Sequence, residues 1–274
     1  MSAATSHVRS TASRAARSKP LEYLARGGFV CYGVIHLLVA WVALAVAFHR
    51  SQQESDQSGG LQMQASQPFG KALVVIVVIG MVALALWQVF EAIIGESGRR
   101  DRDALAQRVI SGVRAVVYLW LAWIGVKVVR GANASQAQSS QNKSSDLMSS
   151  TGGRWLVGLA GLVVLGVGIG LAVYGLTKKF EKHLNTAQMS AAVRRTVRRL
   201  GMGGYAAKGV AYGITGALLA FAAITYQPDK ARGLDGALKT LAGHAWGTWL
   251  LVLIAAGFVA FGVYCFFQAR YRKV

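Results

Sequence analysis

Hydrophobic positions gather into six long runs, at about residues 27–48, 72–94, 109–129, 155–176, 203–225 and 247–267, separated by short polar, charged segments. A hydrocarbon core about 30 Å thick is crossed by roughly 20 apolar helical residues rising about 1.5 Å each, and every run meets or approaches that length. Buried helices of a soluble all-α protein alternate with amphipathic ones, whereas none of these six carries a continuous polar face. The pattern predicts an all-α fold, a six-helix transmembrane bundle. With 54% hydrophobic and 15% charged residues, the chain is too apolar for an ordinary soluble domain.

Charge adds an orientation. A net charge of +19 would suggest nucleic acid in a soluble protein, but here Lys and Arg cluster on one side of the runs. The amino-terminal tail carries Arg9, Arg14, Arg17 and Lys19, and the second-to-third turn carries Arg99, Arg100, Arg102 and Arg108. The fourth-to-fifth turn has Lys178, Lys179, Lys182, Arg194, Arg195, Arg198 and Arg199, and the carboxyl end has Arg270, Arg272 and Lys273. The opposite loops are Ser/Gln/Gly-rich and poorer in charge, with Arg50, then Arg130 and Lys143, then Lys230, Arg232 and Lys239. Lys and Arg are retained in the cytoplasm during insertion, so all three loop pairs give an N-in/C-in, multi-pass topology. The basic turns would then meet anionic headgroups, each cation gaining about 1 kcal/mol. They are short, tethered to the bilayer and lack interleaved aromatics, so membrane lipids are the expected partner and nucleic acid is not. The first residues are Ser-, Ala- and Arg-rich like a transit peptide, but cleavage there would remove a repeat, so they are read as a disordered tail.

The spans repeat in pairs. Arg26-Gly27-Gly28-Phe29-Val30-Cys31-Tyr32-Gly33-Val34-Ile35-His36 opens the first, and Met202-Gly203-Gly204-Tyr205-Ala206-Ala207-Lys208-Gly209-Val210-Ala211-Tyr212 opens the fifth in the same frame. The third fits more loosely, through Arg114-Ala115-Val116-Val117-Tyr118. Partner helices begin Gly70-Lys71-Ala72-Leu73, Gly153-Arg154-Trp155-Leu156 and Gly247-Thr248-Trp249-Leu250. The outer loops align at residues 59–65 and 236–242, where Leu234, Leu238 and Leu241 predict a short amphipathic helix lying in the outer interface. Each unit has two spans, so the three share one orientation and suit a pseudo-threefold axis along the membrane normal. The simplest closed form is a ring of three hairpins with the first and last spans adjacent. The chain divides into a basic cytoplasmic tail, 1–20, and transmembrane repeats over 21–98, 99–184 and 185–274.

These motifs resemble a bacterial family, domain of unknown function 1206, from Leu21 onward. The resemblance implies a six-span protein of the bacterial cytoplasmic (inner) membrane and no established activity. Tyr32 departs from it where a basic residue is expected, and His36 stands where the other repeats have Tyr118 and Tyr212.

Candidate chemistry is sparse. Gly33, Gly204, Gly209, Gly213 and Gly216 are expected to pack helices closely, as are Gly158, Gly161, Gly166, Gly168 and Gly170 in the fourth span. Arg114 and Lys208 lie inside their spans, with Tyr118 and Tyr212 one turn further on and Tyr32 and His36 in the matching places of the first repeat. These six side chains form a candidate axial polar layer, a lipid- or anion-binding pocket. The cations could instead snorkel to headgroups, or pair with Glu91. His36 lacks a second ligand at its depth, since His49, His183 and His244 fall at a helix end or in loops, so it reads as a packing histidine, without metal or cofactor. Cys31 and Cys265 read as small apolar fillers, and Lys127 as snorkelling outward. No nucleophile–base pair shares a span, so an enzyme is not expected. A non-catalytic scaffold, accessory subunit or lipid-binding bundle, with a membrane-protein or homo-oligomeric partner open, is the first reading. The alternative is a small-solute or ion channel or carrier along the pseudo-threefold axis. Pro20, Pro68 and Pro228 all lie outside the spans, which favours the first.

Overall fold

A computed structural model describes residues 19–48, 56–67, 69–94, 101–131, 135–227, 231–242 and 246–273. The expected tail lies outside the described residues except for its last two, which open the first helix; His49, Arg50, Arg99, Arg100, Lys230, His244 and two prolines, Pro68 and Pro228, also lie outside them. Among the described residues, six helices are long and apolar enough to cross a membrane: α1 (Lys19–Ala47), α3 (Gly70–Ile94), α4 (Asp101–Val129), α6 (Thr151–Leu176), α7 (Ala191–Thr225) and α9 (Gly247–Tyr271). Three shorter helices, α2 (Gln57–Ala65), α5 (Gln136–Met148) and α8 (Gly233–Ala242), fill the connections at the end of the bundle opposite the basic turns.

The odd-numbered spans begin earlier than their apolar runs. Charge changes where a helix leaves oil, not whether its backbone stays hydrogen-bonded, and only a cap stops it. In α1, Glu22 and Arg26 pair one turn apart at 2.7 Å. Ser190 caps α7, its hydroxyl accepting from the Val193 backbone N–H. Arg114 therefore stands thirteen residues, about 20 Å, from the start of α4, and Lys208 seventeen residues, about 26 Å, from the start of α7.

The spans pack in the order α4–α3–α1–α9–α7–α6. The first and last spans are neighbours: Gly33 and Gly262 cross so closely that a methyl group on Gly262 would stand 3.0 Å from the Gly33 carbonyl oxygen. Arg26 adds a polar tie, donating to the carbonyl oxygens of Ala269 (2.7 Å) and Arg270 (2.5 Å) at the end of α9. The first and third repeats are packed hairpins, but the second is not. Among the described residues α4 and α6 share no packed interface, so the ring is open between them.

Helix α6 commits its glycine face to α7 instead. Gly161, Gly168 and Gly175 recur every seven residues, the spacing of a left-handed seam. A methyl group on Gly161 would stand 2.5 Å from the Ala220 nitrogen, and one on Gly168 2.5 Å from the Gly213 nitrogen. Gly209 and Gly216 leave as little room from the α7 side. Gly204 packs as closely on the Phe261 backbone of α9. The expectation fails for Gly166 and Gly170, which face open space.

At the far end the expected short helix is present as α8, with its apolar face packed on the bundle. Leu238 is wholly buried, and Leu61 of α2 nearly so, in one apolar cluster with Val39, Val42, Leu121 and Leu251. Asp235 goes in with α8, fully buried, held by Lys239 at 3.1 Å and Arg232 at 3.7 Å. Helix α5 has no apolar stripe to betray it; Ser135 caps it and Met148 and Ala137 anchor it.

Candidate functional site

Towards the basic end the six spanning helices draw apart around a cavity of about 260 Å³, to which each contributes. Five of the six sequence-predicted layer residues line it: Tyr32, Arg114, Tyr118, Lys208 and Tyr212. The sixth, His36, is buried behind them. Its Nδ1 lies 2.8 Å from the Tyr32 carbonyl oxygen, so that nitrogen carries the proton and donates, and its ring leans on Phe261 at 4.7 Å.

Lys208 is buried among rings rather than extended towards headgroups. Its Nζ donates to the Tyr32 hydroxyl at 3.1 Å and sits 4.0 Å from the Phe261 ring centre. Arg114 borders the cavity from α4, and among the described residues it makes no hydrogen bond or ion pair of its own. Glu91, its expected partner, instead accepts from the Ser111 hydroxyl at 3.3 Å and reaches Arg114 only as a more distant charge. The site thus brings cations together, and among the described residues no Asp or Glu lines the cavity.

Sequence reasoning missed a third cation. Arg272 reads as a terminal charge, but the chain folds back there. Leu184 bridges to Arg272, the Asn185 N–H donates to the Tyr271 carbonyl at 2.7 Å, and the Lys273 N–H donates to the His183 carbonyl at 3.0 Å. The Arg272 guanidinium is thereby buried against the rings of Trp87 (4.7 Å) and Phe29 (5.0 Å), its Nε without a hydrogen-bond partner among the described residues. Gln88, Tyr174, Tyr205 and Gln268 also line the cavity, and Gln88 Oε1 is likewise unpartnered. A signal for two of them existed. Glu91, Tyr174 and Gln268 each stand twenty-one residues after the glycine near the start of their helix (Gly70, Gly153, Gly247).

The ends of the helices around the cavity are tied by aromatic contacts, Tyr174 on Tyr205 at 5.0 Å and Phe180 on Tyr264 at 5.3 Å. Outside the spans, Arg198 grips Glu181 with two hydrogen bonds of 2.6 and 3.2 Å, which hold that carboxyl below its ordinary range. Cys31 and Cys265 are buried free thiols, and among the described residues no group of three His, Cys, Asp or Glu could hold a metal ion.

Six apolar spans around an interior polar chamber define an all-α, multi-span membrane bundle. The chain belongs to the Domain of Unknown Function family DUF1206, whose pattern it matches three times, over residues 27–95, 111–178 and 203–272. Each match takes in two spans and the short helix between them, so the internal repeat is a repeat of the family unit itself. The chain is also similar to "Uncharacterized protein YxxB" of Bacillus subtilis (strain 168), with 28% identity over 259 residues covering 94% of each chain. No solved structure matches it.

Proposed function

We propose that this protein is a non-catalytic lipid-binding bundle of the bacterial cytoplasmic membrane, which seats the anionic headgroup of a lipid in its interior cavity. The observation that carries this reading is the convergence of Arg114, Lys208 and Arg272 on one chamber whose lining, among the described residues, has no carboxylate. A cation held away from water without a counter-charge costs several kcal/mol, and such groups within spans pair, hydrate or bind. An anion supplies the missing partner, and the bilayer offers anions at that depth as headgroups.

The charge pattern supports N-in/C-in topology, with the cavity in the cytoplasmic half. Lys178, Lys179, Lys182, Arg194, Arg195 and Lys273 share its end of the bundle. The three family units fit a pseudo-threefold arrangement opened at the second unit. A pore along that axis is less favoured, because Val39, Leu61 and Leu238 fill the middle of the opposite half.

The test is lipid co-purification. The full chain is extracted in mild detergent and its retained lipids are identified by native mass spectrometry, alongside Arg114→Gln and Lys208→Met. Anionic lipid bound to the parent and depleted in both variants is the expected result. Equal lipid content in all three would remove the reading. Labelling of a single Cys placed by Ala187→Cys should proceed only from the cytosolic side; reaction from outside would overturn the topology.

A further inference from the structure

Taking the cavity as a lipid-headgroup site, we propose that its ligand is an amphiphile headed by a phosphomonoester, whose hydrocarbon chain leaves the bundle sideways between α4 and α6. Charge sets the head. Three cations face the chamber, and neither Arg114 nor Lys208 is neutralised by an acid in its lining. A phosphodiester brings one negative charge and would leave two cations uncompensated. A phosphomonoester brings about 1.5 to 2 at neutral pH, with three strong acceptor oxygens.

The donors suit that group. Guanidinium forks grip phosphate oxygens two at a time. Arg272 lines the chamber with its guanidinium carbon 4.7 Å from the Trp87 ring centre and 5.0 Å from that of Phe29, in a nearly fully buried position. Lys208 is braced by the Tyr32 hydroxyl and offers its remaining N–H donors. The lining has no carboxylate to receive the ammonium of a zwitterionic head.

Size and shape set the route. At about 260 Å³ the chamber falls just below the roughly 300–1,000 Å³ of pockets that enclose drug-sized ligands. It holds a small head and not a diacyl lipid, so the chains remain outside. The unpacked seam is the place for them. Val113 and Val117 on α4 line the chamber one turn apart, as do Val167 and Leu171 on α6. Val113 and Val167 are 59% and 49% exposed, in a window that is apolar on both sides.

Binding to the delipidated full chain in detergent, by calorimetry or native mass spectrometry, decides this. The probes are dioleoyl phosphatidic acid, dioleoyl phosphatidylglycerol and glycerol 3-phosphate. Phosphatidic acid should bind about tenfold more tightly than phosphatidylglycerol, the value of one further charge contact. Arg272→Gln should narrow that ratio to about twofold, and Arg272→Lys should restore part of it. Val117→Trp combined with Leu171→Trp, which narrow both the chamber and the seam, should weaken phosphatidic acid by a larger factor than glycerol 3-phosphate.

Equal binding of the two lipids would overturn the phosphomonoester and leave the lipid-headgroup reading standing. Binding of neither would end both. Glycerol 3-phosphate binding as tightly as phosphatidic acid, with the double Trp variant weakening both alike, would assign the chamber to a soluble phosphomonoester and overturn the sideways chain. The comparison of the two lipids uses the unmodified protein, so it decides the head even where a variant fails to fold.

Discussion

Along α1 the surroundings change within two turns. At Val39 the helix is enclosed by aliphatic side chains from α3, α4, α8 and α9. Seven residues earlier, about 10 Å along the axis, Tyr32 borders a chamber shared with Lys208, Arg114 and Tyr118. The same helices build both regions. The far half is filled because α2 and α8 insert Leu61 and Leu238 where the spans diverge. At the basic end the connection between α6 and α7 folds back at Leu184 and buries Phe180 against Tyr264, and rings and cations edge the space that remains. The sealed half is organised for stability. In the reading proposed above, the hollow half carries a charge excess that an added anion relieves.

The contrast predicts opposite responses to substitution. Leu238→Ala should have the largest effect, destabilising the detergent-solubilised protein by about 2–5 kcal/mol through the cavity it leaves. Thermal or denaturant midpoints would measure it, and a loss below 1 kcal/mol would mean that the far half is not tightly packed. Lys208→Met should act in the reverse direction. In lipid-free detergent it should raise stability by about 1–3 kcal/mol, by replacing an uncompensated buried cation with an apolar chain of similar length. A marked loss of stability would show that the chamber's charge is already satisfied.

The smallest effect belongs outside the membrane. Arg198 holds the Glu181 carboxyl below its ordinary value near 4.5, so the pair's contribution is complete above that value and disappears as pH falls through the depressed one. Glu181→Gln should flatten the acid limb of a stability–pH curve slightly and leave neutral stability nearly unchanged, because Arg198 is exposed and the contact is screened.

Much of this was legible in the sequence. Hydropathy marks the spans because the bilayer demands unbroken apolar helices, and the repeat aligns Tyr32, Arg114 and Lys208 before any packing is known. Pair choice was not legible. Gly161, Gly168 and Gly175 announce close packing without saying whether α4 or α7 receives them, so the hairpin expected of α4 and α6 is absent. Helix α5 was hidden because a Ser/Gln-rich stretch carries no periodic apolar signal. Arg272 was hidden because its burial depends on the backbone pairing of Leu184 and Arg272, eighty-eight positions apart, which leaves no local pattern.

The crossing of Gly33 and Gly262 has a consequence for biogenesis. Ribosomes extend a chain by roughly 5–20 residues per second, so α1 enters the bilayer on the order of tens of seconds before its α9 contact has been synthesised. Through that interval Tyr32 and His36 face lipid or the insertion machinery instead of Phe261 and Lys208. One side of the first span is covered early by α3, but its α9-facing side waits, and agents that shelter nascent helices should act on that side more than on the seam of α6, whose partner follows directly in the chain.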